Sequence, residues 1–275
     1  MEFKDIVKES YYYDKTGMLL KGDCLDWMSK FPDNSVDMIL ADLPYGVTKN
    51  KWDSIIPLDL LWKQYERIIK ESGAIVLFGQ DKFTAKLMLS NEKLHRYNLI
   101  WNKVLSSGFL NANRQPLRGH EDITIFNTDI EMVIEHGDIC LFYKKQPLYN
   151  PQKTKGVPSH SKGKGVGKKN SEILKNNNYG DFTLVETIGD MKHPTSILTF
   201  SKPHPSISLH PTQKPVELLE WLIKTYTKEA MLVLDNTAGV CSTAIAAKIT
   251  NRKWICIEQE EKYCQISKDR LLENK

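Results

Sequence analysis

The chain is short of the features that would take it out of the ordinary globular class. No apolar run approaches the roughly 20 residues that span a bilayer, and the opening MEFKDIVKES has no apolar stretch of secretory type. Neither membrane insertion nor export is expected. Cys24, Cys140, Cys241, Cys256 and Cys264 form no CxxC pair and no Cys/His cluster with zinc spacing, so no metal site is predicted and reduced cytosolic thiols fit best. There is no internal repeat. No glycine turn ends in Gly-Lys-Ser/Thr, which excludes a phosphate loop, and Gly163, Gly165 and Gly167 follow no strand and sit among lysines. Acid is missing from one long stretch: Lys144 to Ser171 holds eight lysines and no Asp or Glu, although the net charge is only +4.

What is present is the alternation of an α/β chain. Met18 to Lys21, Val36 to Leu40, Ala74 to Phe78, Tyr97 to Trp101, Met231 to Leu234 and Trp254 to Ile257 are short apolar runs of the kind buried on both faces of a parallel sheet. Helical spacing recurs between them. Leu58, Leu61, Trp62, Tyr65, Ile68 and Ile69 follow Pro57; Val216, Leu219, Leu222, Ile223 and Tyr226 follow Pro215; Asp23 and Asp81 stand where helix caps belong. Ile123 to Phe126 and Ile139 to Tyr143 read as two further strands. Pro147 to Tyr179 replaces apolar periodicity with Pro, Gly, Ser, Lys and Asn and reads as a flexible insertion.

Asp23, Asp42, Asp235 and Glu258 each stand directly after an apolar run. In parallel strands they would line the carboxyl edge of one sheet, where open α/β folds bind ligands. Any one of them could simply cap the helix that follows. Four together, two of them in unusual turns, point to a ligand rich in hydroxyl and amine donors, or a cationic one. Asp42-Leu-Pro-Tyr45 places a carboxylate, a free carbonyl and an aromatic ring side by side, with Pro44 restricting Leu43 and Gly46 turning the chain away. Asp235 to Cys241 is a strand-to-helix turn of small residues, and Glu258 lies about 20 residues on, where a nucleoside-binding unit puts the acid for ribose hydroxyls.

Together with the box His210-Pro-Thr-Gln-Lys-Pro215, these turns resemble the DNA amino-methyltransferases, which methylate adenine N6 or cytosine N4 from S-adenosylmethionine. The order, catalytic turn before cofactor turn, is similar to the β arrangement of that family, and the resemblance runs from about Met18 to Leu272. It implies a Rossmann-like sheet with a small inserted target-recognition region: residues 1–143 as the catalytic part, 144–200 as the partly flexible insertion and 201–275 as the cofactor-binding part. It further implies that Asp42 and the Leu43 carbonyl accept hydrogen bonds from the target amino group, that Pro44 orients that peptide, and that Tyr45 stacks on a flipped base. For the cofactor it implies Asp23 at the adenine amino group with Cys24 beside it, Glu258 at the ribose, Asp235, Asn236, Thr237, Ala238 and Gly239 around the methionine part with Asp42 near by, and Thr212, Gln213 and Lys214 at the carboxylate. One departure stands out. The family's Phe-x-Gly-x-Gly is here Thr237-Ala-Gly239-Val-Cys241, without the aromatic and the second glycine.

Lys153, Lys155, Lys162, Lys164, Lys168 and Lys169 are suited to DNA phosphates, and Arg114 and Arg118 to phosphates or base edges. The expected partner is double-stranded DNA, with a second copy of the chain and a paired restriction nuclease as further candidates, and the expected location is the cytoplasm, on the nucleoid. Asp at position 42 favours adenine, because Ser is more usual there in the cytosine relatives. The alternatives are a cytosine N4 enzyme and a non-catalytic DNA-binding relative with an impaired cofactor turn. A nicotinamide dehydrogenase on the same sheet is disfavoured, because the glycine fingerprint after the first strand is absent.

Overall fold

The computed structural model describes residues 2–46, 53–107, 118–127, 131–135, 138–142, 148–156, 173–176, 180–183, 190–204, 206 and 208–273. The chain begins with helix α1 (Phe3–Ile6), a 3-10 turn (Val7–Glu9), β1 (Tyr12–Tyr13), β2 (Gly17–Lys21) and α2 (Cys24–Ser29). Then come β3 (Val36–Ala41), α3 (Leu58–Ile68), β4 (Ile69–Gly79), α4 (Lys82–Ser90), β5 (His95–Ser107) and β6 (Arg118–Asn127). Short strands follow: β7 (Glu131–Glu135), β8 (Asp138–Phe142), β9 (Thr154–Lys155), β10 (Ile173–Asn176), β11 (Gly180–Thr183), β12 (Met191–Lys192) and β13 (Ile197–Thr199). The chain closes with α5 (Val216–Tyr226), β14 (Leu232–Asp235), α6 (Ser242–Ile249), β15 (Lys253–Glu258) and α7 (Glu261–Glu273).

Nine strands form one sheet in the order β1-β2-β15-β14-β3-β4-β6-β5-β13. From β2 to β4 every neighbour is parallel, so the carboxyl ends of β2, β15, β14 and β3 share one edge. β6 then runs antiparallel to β4, with Asp122 opposite Gly79, and therefore brings its amino-terminal half to that same edge. β5 returns antiparallel to β6, pairing Trp101 with Glu121.

The strand sequences explain how the sheet is covered. Alternate residues point to opposite faces: Met38 and Leu40 of β3, Ala74, Val76 and Phe78 of β4 and Trp254 and Cys256 of β15 enter one core with α5 and α6. Val36, Ile39 and Ala41, Ile75 and Leu77, and Ile255 and Ile257 enter the other with α2 and α3. In α3, Leu61, Trp62, Tyr65 and Ile68 are all buried, one stripe of a two-faced helix, and each such side chain contributes about 1.5–3 kcal/mol of burial. The α3 periodicity runs on in sequence to Ile69, but the helix stops at Ile68 and β4 begins at once. Asp81 occupies the capping position of α4 without a side-chain cap bond, at φ 50°.

The chain divides into two compact units, one of residues 1–130, 143–150 and 196–275, the other of Glu131–Phe142 and Pro151–Thr195. The second unit contains three antiparallel pairs, β7 with β8, β9 with β12 and β10 with β11. The second unit includes the β7–β8 pair, and 143–150 and 196–200 fall in the first.

Candidate active site

The Asp42 turn leaves β3 at Ala41. Asp42 Oδ1 accepts from the Tyr45 hydroxyl at 2.8 Å, and Oδ2 takes Lys214 Nζ at 2.5 Å. Tyr45 also leans on Phe83, with ring centroids 4.7 Å apart at 32°. Gly46 sits at φ +68° and donates its amide to the buried Asp53 carboxylate at 2.8 Å. A Cβ there would come within 2.7 Å of the Ile55 side chain, and the positive φ favours glycine.

Lys214 is shared. Its ammonium also lies 3.4 Å from Glu121 Oε2, while Glu121 Oε1 is 3.1 Å from Lys103 Nζ. Charges therefore alternate from Asp42 through Lys214 and Glu121 to Lys103, in a place where only 3% of the Lys103 side chain and 8% of Lys214's reach solvent. Burial pushes the Asp42 carboxyl above the usual carboxylate range, with the Glu121 charge adding and Lys214 and Tyr45 opposing. Burial alone would lower Lys214, but Asp42 and Glu121 outweigh it and hold the ammonium above the ordinary lysine value. The same two lysines overcome burial at Glu121 and keep it ionised. The ammonium further sits over the rings of Phe78 and Trp101, 4.9 and 6.0 Å from their centroids.

The second turn is tied down by its own acids. Asp235 accepts from the Thr237 amide at 3.1 Å and the Thr243 hydroxyl at 2.6 Å, and burial raises its pKa to about 7. Glu258 accepts from the amides of Gly239 and Glu260, each at 2.8 Å, and burial raises it too. Thr237 reaches across to donate to the Asp42 carbonyl at 3.1 Å, so the two turns are joined. Asn236 accepts from the Tyr65 hydroxyl at 2.6 Å. Gly239 and Cys241 both lie at φ +54°, and Cys241 is fully buried at the start of α6. The position where the chain departs from the two-glycine pattern thus keeps the left-handed backbone that glycine favours. In the box, His210 Nδ1 accepts from the Thr212 amide and contacts its hydroxyl at 3.0 Å, and Gln213 Oε1 accepts from the Leu209 amide. Burial, with the Lys214 and Lys262 charges, lowers His210 to about 4, so the ring is neutral at pH 7.

The two turns, the box, Glu121 and Lys103 line one cavity of about 500 Å³. The profile of the N6/N4 DNA methylases matches residues 36–269. The chain belongs to the DNA methylase family. Among the methylase's relatives, the Type II methyltransferase M2.MboI of Moraxella bovis is 27% identical over 282 residues, covering 94% of this chain and 88% of that one. The DNA adenine methyltransferase YhdJ of Escherichia coli (strain K12) is 26% identical over 269 residues, covering 92% and 82%. The fold is similar to that of the cytosine-N4-specific PvuII DNA methyltransferase, with a TM-score of 0.65 at 15% identity over 97% of this methylase and 93% of that chain.

Every residue expected at the catalytic or cofactor site lines that cavity: Asp23, Cys24, Asp42 to Tyr45, Thr212 to Lys214, Asp235 to Gly239 and Glu258. Asp23 also caps α2, accepting from Leu25 and Asp26, so the capping role holds beside any ligand role. Lys214, expected to face a cofactor carboxylate, faces two protein carboxylates, because Asp42 and Glu121 are what the fold brings to it. Glu121 and Lys103 went unrecognised in the sequence: on antiparallel β6 an acid before the apolar run reaches the ligand edge, and Lys103, after the apolar run of β5, is a cation where the pattern marks acids. Of the residues expected to face DNA, Lys153 and Lys155 are exposed in the second unit and Arg118 opens β6. Arg114, Lys162, Lys164, Lys168 and Lys169 lie outside the described residues.

Proposed function

We propose that this methylase transfers a methyl group from S-adenosylmethionine to adenine N6 within a short sequence of duplex DNA. The observation that supports it most is the meeting of the Asp42 turn and the Asp235 turn in one cavity, joined by the Thr237 bond to the Asp42 carbonyl. The cofactor fits the donor set: Asp23 and Glu258 present carboxylates for amine and hydroxyl groups, the left-handed Gly239 leaves the turn without a side chain, and six acids against three lysines in the lining suit a cation. When bound, the cofactor supplies an electrophilic methyl group.

The chain's own residues do the rest. The adenine amine is a poor nucleophile because its lone pair is delocalised into the ring. Asp42 and the Leu43 carbonyl accept its hydrogens, which favours a pyramidal nitrogen with a directed lone pair, and Asp42, raised by burial, is suited to take the proton released on transfer. Tyr45, fixed by Asp42 and Phe83, supplies a flat wall for a base taken out of the helix. Catalysis is positioning and electrostatics without a covalent enzyme intermediate.

Adenine is favoured by Asp at position 42 and by the name of the Escherichia coli relative; cytosine N4 is the second reading. The unit of 131–142 and 151–195, with exposed Lys153 and Lys155, is the proposed target reader. A paired restriction nuclease, a homodimer and a cytoplasmic, nucleoid-bound location belong to the same proposal. The test is label transfer from S-adenosylmethionine to unmethylated genomic DNA, followed by nucleoside digestion and mass spectrometry. N6-methyladenine is expected; N4-methylcytosine would keep the mechanism and correct the base, and absence of label from DNA across varied target sequences would overturn the reading.

A further inference from the structure

We propose that Glu121 makes the pocket prefer a sulfonium ligand over the uncharged thioether of the same shape. The inference rests on the pocket being the S-adenosylmethionine site. The catalytic carboxylate already carries an ammonium, Lys214 Nζ at 2.5 Å from Asp42 Oδ2. In-line transfer to a nitrogen held by Asp42 would bring the sulfur cation toward Asp42 and, with it, Lys214. Two like charges in a pocket shielded from water repel each other more strongly than in solvent.

Glu121 is the group placed to offset that repulsion. It lines the same cavity and is 15% exposed at the side chain. Its Oε1 is committed to Lys103 at 3.1 Å, whereas Oε2 lies within ion-pair range of Lys214, at 3.4 Å, but makes no hydrogen bond and is closed to solvent. A buried carboxylate oxygen short of donors is an anion with capacity to spare. His210 in the same lining is neutral, and Asp42 already holds Lys214 and Tyr45. Without Glu121, the two lysines would face the incoming cation with Asp42 alone between them.

S-adenosylmethionine and S-adenosylhomocysteine differ by one methyl and one positive charge, so the ratio of their affinities reads the charge directly. Calorimetric titration of the full chain with each ligand should show that Glu121→Gln lowers the preference for S-adenosylmethionine by about tenfold while leaving S-adenosylhomocysteine within about twofold. Glu121→Asp, which keeps the charge, should hold the ratio near wild type. An unchanged ratio in Glu121→Gln, or an equal loss in Glu121→Asp, would overturn the assignment. If Glu121→Gln binds neither ligand, Lys103→Met decides: removing a cation from the same network should raise the ratio, and an unchanged or lower ratio overturns the proposal. A wild-type protein that is folded and binds neither ligand would overturn the cofactor reading itself, before any substitution is made.

Discussion

The acids of the ligand edge are held in two different ways. At the ends of β2, β14 and β15, Asp23, Asp235 and Glu258 take hydrogen bonds from backbone amides and, for Asp235, a hydroxyl close by in the chain. On β6 and at the end of β3, Glu121 and Asp42 are met by lysines of other elements, Lys214 before α5 and Lys103 on β5. The first arrangement fixes the shape of a loop, and the carboxylates do so as acceptors of N–H bonds. The second sets charge, because each carboxylate is paired with a titratable cation in a poorly solvated place. Changes in the lysine-held half should therefore alter rate and charge preference, and changes in the amide-held half should alter loop stability and ligand affinity.

The largest effect is expected from Asp42→Ala, which removes the acceptor proposed for the target amine. Methyl transfer at saturating S-adenosylmethionine should fall by about 10²–10³ or more, and added cofactor should not restore it. An equal loss of rate with intact binding in Asp235→Ala would erase the distinction between the halves.

Asp235 gives a pH test of the amide-held half. Its pKa is about 7 in the folded chain against an ordinary 3.8, so between those values the folded state holds a proton that the unfolded state has released. The stabilising contribution of that proton is complete below about pH 4 and is lost as the pH rises to about 7, with a slope of at most about 1.4 kcal/mol for each step of one in pH. Asp235→Asn keeps an acceptor for the Thr237 amide and cannot titrate. Chemical denaturation at pH 5 and pH 8 should show a shallower decline for the variant than for the wild type; parallel slopes would mean that Asp235 is ionised in the folded chain.

Cys241 tests how much of the same turn is backbone conformation. A side chain at φ +54° costs about 1–2 kcal/mol, which Cys241→Gly relieves while losing a buried thiol, so stability should stay within about 1 kcal/mol. Cys241→Val puts a branched side chain in the same conformation and should cost about 2 kcal/mol or more, read as a lower midpoint in thermal unfolding. Equal behaviour of the two variants would remove the conformational account.

The smallest effect belongs to the second unit. Replacing Lys153 and Lys155 by Gln should weaken DNA binding modestly and reduce the magnitude of its salt slope by about 1–2. An unchanged slope would show that these two exposed lysines do not face phosphates.

The two halves also differ in how far they could be read from sequence. Asp23, Asp235 and Glu258 follow apolar runs on parallel strands, so one local pattern, strand then acid, locates all three. Asp42 obeys the same rule, and its turn carries Pro44 and Gly46 as further marks. Glu121 does not obey it: it precedes its apolar run, and only the reversal of β6 beside β4 carries it to the ligand edge. Lys103 does follow an apolar run, on β5, but as a cation it is not marked by a pattern of acids. Lys214 was legible as a site residue, but its partners were not, since they come from 172 and 93 positions away in the chain. Cys241 showed in sequence as a missing glycine; that the backbone there is left-handed all the same needed the fold.

The most direct test of this division is single-turnover methyl transfer at saturating S-adenosylmethionine, measured side by side for Asp42→Asn and Glu258→Gln. Asp42→Asn should stay slow however much cofactor is added, whereas Glu258→Gln should need more cofactor and then approach the wild-type rate. A Glu258→Gln protein that is equally slow at saturation, or an Asp42→Asn protein restored by cofactor, would contradict the assignment of chemistry to the lysine-held half and of binding to the amide-held half.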